Sequence, residues 1–88
     1  MTRLHLIISG RVQGVGFRYF CQEQAKRLGL TGFVRNCEDG TVEAEVQGEK
    51  EIVEKFLTLV SDGPRHAEVN EIRTEDRPLK EERNFQIS

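Results

Sequence analysis

Gly10-Arg11-Val12-Gln13-Gly14-Val15-Gly16-Phe17-Arg18 joins an alternating apolar strand to an amphipathic helix, and its reading decides the fold and the chemistry together. Gly14 and Gly16 have no Cβ, so the backbone there can take positive φ and turn consecutive N–H groups toward one point, the concavity called a nest. A helix starting near Phe17 adds its own unpaired N–H groups and the positive end of its dipole at the same place. Arg18 adds a planar fork of donors that matches two phosphate oxygens and keeps its charge near neutral pH. Glycines after a strand are often only a tight turn, and an arginine in a first helical turn is usually solvated. The combination, rather than either part, points to an anion cradle. It is not a nucleotide P-loop, which needs G-x-x-x-x-G-K-[ST], nor a dinucleotide loop, which needs G-x-G-x-x-G inside a βαβ series.

Composition bounds the remaining choices. Eighty-eight residues suit one domain with one modest core, spanning 1–88. Thirteen basic against fifteen acidic side chains leave a net charge of −2, too little positive field for nucleic acid, so any anion has to be captured locally. Met1-Thr2-Arg3-Leu4-His5 leads directly into a short apolar strand without a hydrophobic leader, and no run approaches the ~18 apolar residues of a membrane span. The expectation is a cytoplasmic protein with no membrane partner. Cys21 and Cys37 have neither CxxC nor zinc spacing and are expected to be reduced.

Along the chain, Leu4, Leu6 and Ile8 face one side of a first strand. Phe17, Phe20, Cys21, Ala25 and Leu28 recur at helical spacing, with Gly29 as a stop. Thr31 to Cys37 reads as a second strand and Glu38-Asp39-Gly40 as a turn. Thr41 to Gln47 returns with Val42, Ala44 and Val46 inward and Glu43, Glu45 and Gln47 on a wet face. A second helix covers about Glu49 to Ser61, and Asp62-Gly63-Pro64 ends it. A fourth strand is expected from Ala67 to about Thr74, then a solvated charged loop from Glu75 to Arg83, then a short edge strand at Phe85 and Ile87. This order predicts an α+β two-layer sandwich, a mostly antiparallel sheet with both helices on one face, resembling the ferredoxin-like layout. With Val34 facing the core, Asn36 points to the same helix-covered side and Arg35 away from it.

GRVQGVGFR followed by GFVRN resembles the acylphosphatase family, and the similarity runs the length of the chain. Carried over by position, the resemblance implies that Arg18 binds the phosphoryl group, that Asn36 positions the attacking water, and that Gln13, Gly14, Val15, Gly16, Phe17 and Arg18 lend backbone donors. The tryptophan often found before the valine of the second motif is Phe33 here, which is neither of the two catalytic positions. The implied reaction is hydrolysis of the carboxyl–phosphate bond of a small acyl phosphate to a carboxylate and orthophosphate.

The chemistry asks for little more. An acyl phosphate has a good carboxylate leaving group and reacts through a loose transition state, so positioning and charge stabilisation suffice. No cofactor and no metal are expected. Orthophosphate and sulfate should compete for the cradle, and nothing in the sequence demands more than a monomer. Two other classes remain open at this level. One is a binding-only anion sensor, which would use the same cradle without turnover. The other is single-stranded RNA binding on the open sheet face, which the acidic balance, Glu43 and Glu45, and the lack of an aromatic run disfavour. His5 and His66 have no nucleophile arranged with them, and Arg11, at the mouth of the loop, could add positive potential but reads more simply as a solvated residue or a surface ion-pair partner.

Overall fold

Two-residue alternation drives Leu6 and Ile8 of the first strand, Val34 of the second and Val42, Ala44 and Val46 of the third into one apolar layer, each of them fully buried. The computed structural model describes residues 1–88 as β1 (Thr2–Arg11), α1 (Phe17–Arg27), β2 (Thr31–Asn36), β3 (Val42–Gly48), α2 (Lys50–Asp62), β4 (Glu68–Asp76) and β5 (Phe85–Ile87). The five strands form one sheet in the order β4-β1-β3-β2-β5. All neighbours pair antiparallel except β2 with β5, which run parallel. The fold is the expected ferredoxin-like α+β sandwich.

Each helix buries one stripe against the sheet. Phe17, Cys21 and Ala25 of α1 and Val53, Phe56 and Val60 of α2 join the strand residues in a single core cluster. Gln24, which lies on the buried side of α1 without being apolar, accepts a hydrogen bond from Arg27. At Gly32 in β2, φ is +143° and a Cβ would stand 1.8 Å from the Glu45 carbonyl oxygen, so only glycine lets β2 lie against β3 there.

The face away from the helices departs from the sequence expectation. Glu45 and Gln47 of β3, expected to be wet, are buried, because the segment after β4 folds back over them. At the centre lies Arg3, whose side chain is wholly buried. Its Nε donates to Glu45 at 2.6 Å, and its Nη atoms donate to Glu82 at 2.5 and 3.2 Å and to Gln47 at 3.1 Å. A buried guanidinium is tolerable only with such partners, and two carboxylates plus an amide supply them. Gln47 in turn exchanges two hydrogen bonds with the main chain of Lys80, both at 2.9 Å. The stretch from Glu75 to Arg83 is therefore not a free solvated excursion. β4 runs on to Asp76, and the remainder is pinned over Arg3. No helix is long and apolar enough to cross a membrane.

Candidate active site

The start of α1 has no side-chain cap. Gly14 and Gly16 lie at φ +74° and +79°, the left-handed region that a Cβ disfavours. The first bond of the helix is donated by Phe20 to the Gly16 carbonyl at 3.0 Å, and the amides of Gly14 through Tyr19 donate to no main-chain carbonyl. These are the orphan donors of a helix N-terminus extended backward by a glycine nest.

Two other elements converge on the nest. β2 ends at Asn36, two residues beyond fully buried Val34 and on the same side of the strand. The Asn36 Oδ1 is buried and has no hydrogen-bond partner, an arrangement that is costly unless the site supplies one. The loop is tied to the chain just past Asn36 by the Gln13 side chain, whose Nε2 donates to the carbonyls of Cys37 at 2.8 Å and Thr41 at 2.9 Å. β5, parallel to β2, brings the last residue alongside: Ser88 N–H donates to the Val34 carbonyl at 3.0 Å, and the Ser88 carbonyl accepts from Arg18 Nη1.

Together these elements enclose a pocket of about 210 Å³ walled by Gly14, Gly16, Arg18 and Asn36, with buried Val12 and Phe17 and the exposed Tyr19 completing it. Arg18 is the only charged residue on its wall, so the pocket is electropositive without any broad positive surface. It is below the roughly 300–1,000 Å³ of sites that take larger ligands, and it suits a tetrahedral oxyanion. Among the residues singled out in the sequence, Arg18, Asn36, Gly14, Gly16 and Phe17 meet at this pocket, while Gln13 and Val15 do not line it. Gln13 bears instead on the hairpin turn. His5 bonds Glu43 at 2.6 Å on the opposite face of the sheet. Cys21 is buried, and desolvation pushes its thiol up to about 12, which leaves it unreactive; both cysteines are free.

Ser88 and Tyr19 were not legible as site residues. A serine three positions after the last aromatic residue carries no motif, and it reaches Arg18 only because β5 pairs with β2 in parallel register, Val34 opposite Ile87. Tyr19 reads as packing in the sequence, yet it is 67% exposed at the pocket edge.

Fold and site together define a small ferredoxin-like protein with a small pocket, walled by glycines, one arginine and one asparagine, where its first strand meets its first helix. The acylphosphatase family model matches residues 4–87. An acylphosphatase of Geobacillus thermodenitrificans is 47% identical, covering 99% of this chain and 94% of its own. One from Bifidobacterium longum is 46% identical over 93% of this chain and 84% of its own. The crystal structure of acylphosphatase from Bacillus subtilis superposes with a TM-score of 0.97 at 37% identity, covering 100% of this chain and 99% of that one. The chain belongs to the acylphosphatase family. It is an enzyme of that kind, and its substrate is a small acyl phosphate.

Proposed function

We propose that residues 1–88 act as one unit that hydrolyses acyl phosphates by in-line attack of an Asn36-oriented water on a phosphoryl group held by the loop and Arg18, without a metal. The observation that carries this reading is the buried, unpartnered Asn36 Oδ1 on the wall of the same small pocket as the Arg18 guanidinium and the free amides.

In this mechanism the non-bridging phosphoryl oxygens accept hydrogen bonds from those loop amides that border the pocket, at Gly14, Gly16, Phe17 and Arg18, and from the Arg18 fork. One such donor is typically worth ~3 to 4 kcal/mol of barrier when it is aimed at developing charge. The Ser88 carbonyl holds the guanidinium in place before substrate arrives. Asn36 Oδ1 accepts an O–H of the attacking water and so directs its lone pair at phosphorus. A bond forms from the water oxygen to phosphorus as the bond to the acyl oxygen breaks, and the carboxylate leaves with the electron pair. A carboxamide cannot take the proton, which passes to a phosphoryl oxygen of the substrate. Metal assistance is unnecessary because the leaving carboxylate is weakly basic and the transition state is loose.

The test is release of orthophosphate from benzoyl phosphate and acetyl phosphate by the purified chain in excess chelator. Turnover well above background is expected. Asn36→Ala should lower kcat by about 100-fold or more, in line with loss of a positioned group, while orthophosphate still binds. Absence of release by the parent chain would overturn the reading, and full kcat in Asn36→Ala would remove the water-orienting role.

A further inference from the structure

A second concavity adjoins the phosphate-sized pocket. It is an open groove of about 600 Å³ that starts at Gly16 and follows the exposed side of α1 past Tyr19, Phe20 and Glu23 to Lys26, with Pro64 on the opposite bank. Residues 16, 20 and 23 share one face of a helix, and Tyr19 and Lys26 flank them, so the groove is a continuous strip along the helix axis. Its walls include two aromatic rings, a proline ring and the aliphatic stems of longer side chains. Gly16 and Tyr19 border both cavities, whereas Arg18 and Asn36 border only the smaller one.

That division has a chemical counterpart in an acyl phosphate. The acyl carbon lies one bridging oxygen from phosphorus, so a phosphoryl group seated in the cradle must send its acyl part out of it. In-line displacement puts the leaving group opposite the water, away from Asn36. The groove is the cavity that meets the cradle without touching Asn36. Resting on the acyl phosphatase mechanism proposed above, we infer that the Gly16–Lys26 groove is the subsite for the acyl group of the substrate, that it favours aromatic and extended apolar acyl groups, and that the Tyr19 ring is its specificity determinant. Tyr19 stands 67% exposed at the junction, offering a ring face on which a planar acyl group can stack.

The chain has one tyrosine and no tryptophan, so its intrinsic emission reports on Tyr19 alone. Phenacylphosphonate, a non-hydrolysable mimic of benzoyl phosphate with a methylene in place of the bridging oxygen, should quench or shift that emission saturably, whereas orthophosphate at saturation should change it much less. In turnover, the kcat/KM ratio of benzoyl phosphate to acetyl phosphate should fall about tenfold in Tyr19→Ala through KM, and Tyr19→Phe should restore it. Because Tyr19 is exposed, both variants should fold, which far-UV circular dichroism checks. An unchanged ratio in Tyr19→Ala, or tyrosine emission indifferent to bound phenacylphosphonate, overturns the subsite while leaving hydrolysis standing. Failure of the parent chain to hydrolyse either compound defeats the underlying mechanism instead.

Discussion

In the proposed mechanism Arg18 combines roles that no other basic residue of the chain could take. It lies in the first turn of α1, beside the free amides, and Ser88 fixes one arm of its guanidinium. Replacing it by lysine keeps the charge and loses the planar fork, so Arg18→Lys should lower kcat/KM for acyl phosphates by about 100-fold or more with little change in thermal midpoint. Retained activity in Arg18→Lys would mean that a point charge suffices and that bidentate geometry is irrelevant. At this scale the sequence was informative about the residues whose types are unusual for their place. Two glycines, an arginine and an asparagine at a strand end are visible because ordinary elements do not need them. Ser88, Tyr19 and the Gln13 clasp were invisible, because a carbonyl acceptor, an exposed ring and an amide tether are functions that many residue types at many positions can serve.

Element by element, the strands and helices followed from period and punctuation, and their ends differed by a residue or two, as with Cys37, expected in β2 and lying just past it. What the pattern could not carry was the far face of the sheet. Alternation places Glu45 and Gln47 opposite the core correctly, but it cannot tell a wet face from one covered by a later segment, and Arg3 drew no notice as a buried cation. Close strand approach is equally silent in the sequence, since Gly32 could have been any turn-prone glycine. Gly32→Ala must push its Cβ into the Glu45 carbonyl or move β2 away from β3. A loss of more than about 2 kcal/mol is expected, read as a drop of about 10 °C or more in thermal midpoint. A midpoint within a few degrees of the parent would show that the sheet adjusts at no cost. By contrast, the same change at Gly14 meets nothing within 4 Å, so there the conformation alone is at stake.

For the whole molecule, acid sensitivity follows from the charged face of the sheet. A His5 ring N–H bonds the Glu43 carboxylate and holds it below the ordinary carboxylate range, with Arg35 assisting against the opposing effect of burial. Asp39 is lowered in the same direction by the hydroxyl and amide of Thr41. For a group whose folded pKa is depressed, the stabilisation is complete above its unfolded value and disappears as pH falls through the folded one. Stability to urea should therefore hold from neutrality to about pH 5 and decline below about pH 4, where free carboxylates protonate. Glu43→Gln should flatten that decline; an unchanged slope between pH 5 and pH 3 would place the acid response elsewhere.

β1 is the hub of the sheet, flanked by β3 and β4, and each of its pairings reaches far along the chain: Ile8 stands beside Val42 on one side and Ile72 on the other. Neither neighbour can be met by a hairpin, so long loops must close before β1 has any ladder at all. Such a topology puts refolding on the slow side for a chain of this size, in milliseconds to seconds rather than microseconds. The slow event expected on that account is the search of the first strand for partners that lie far along the chain.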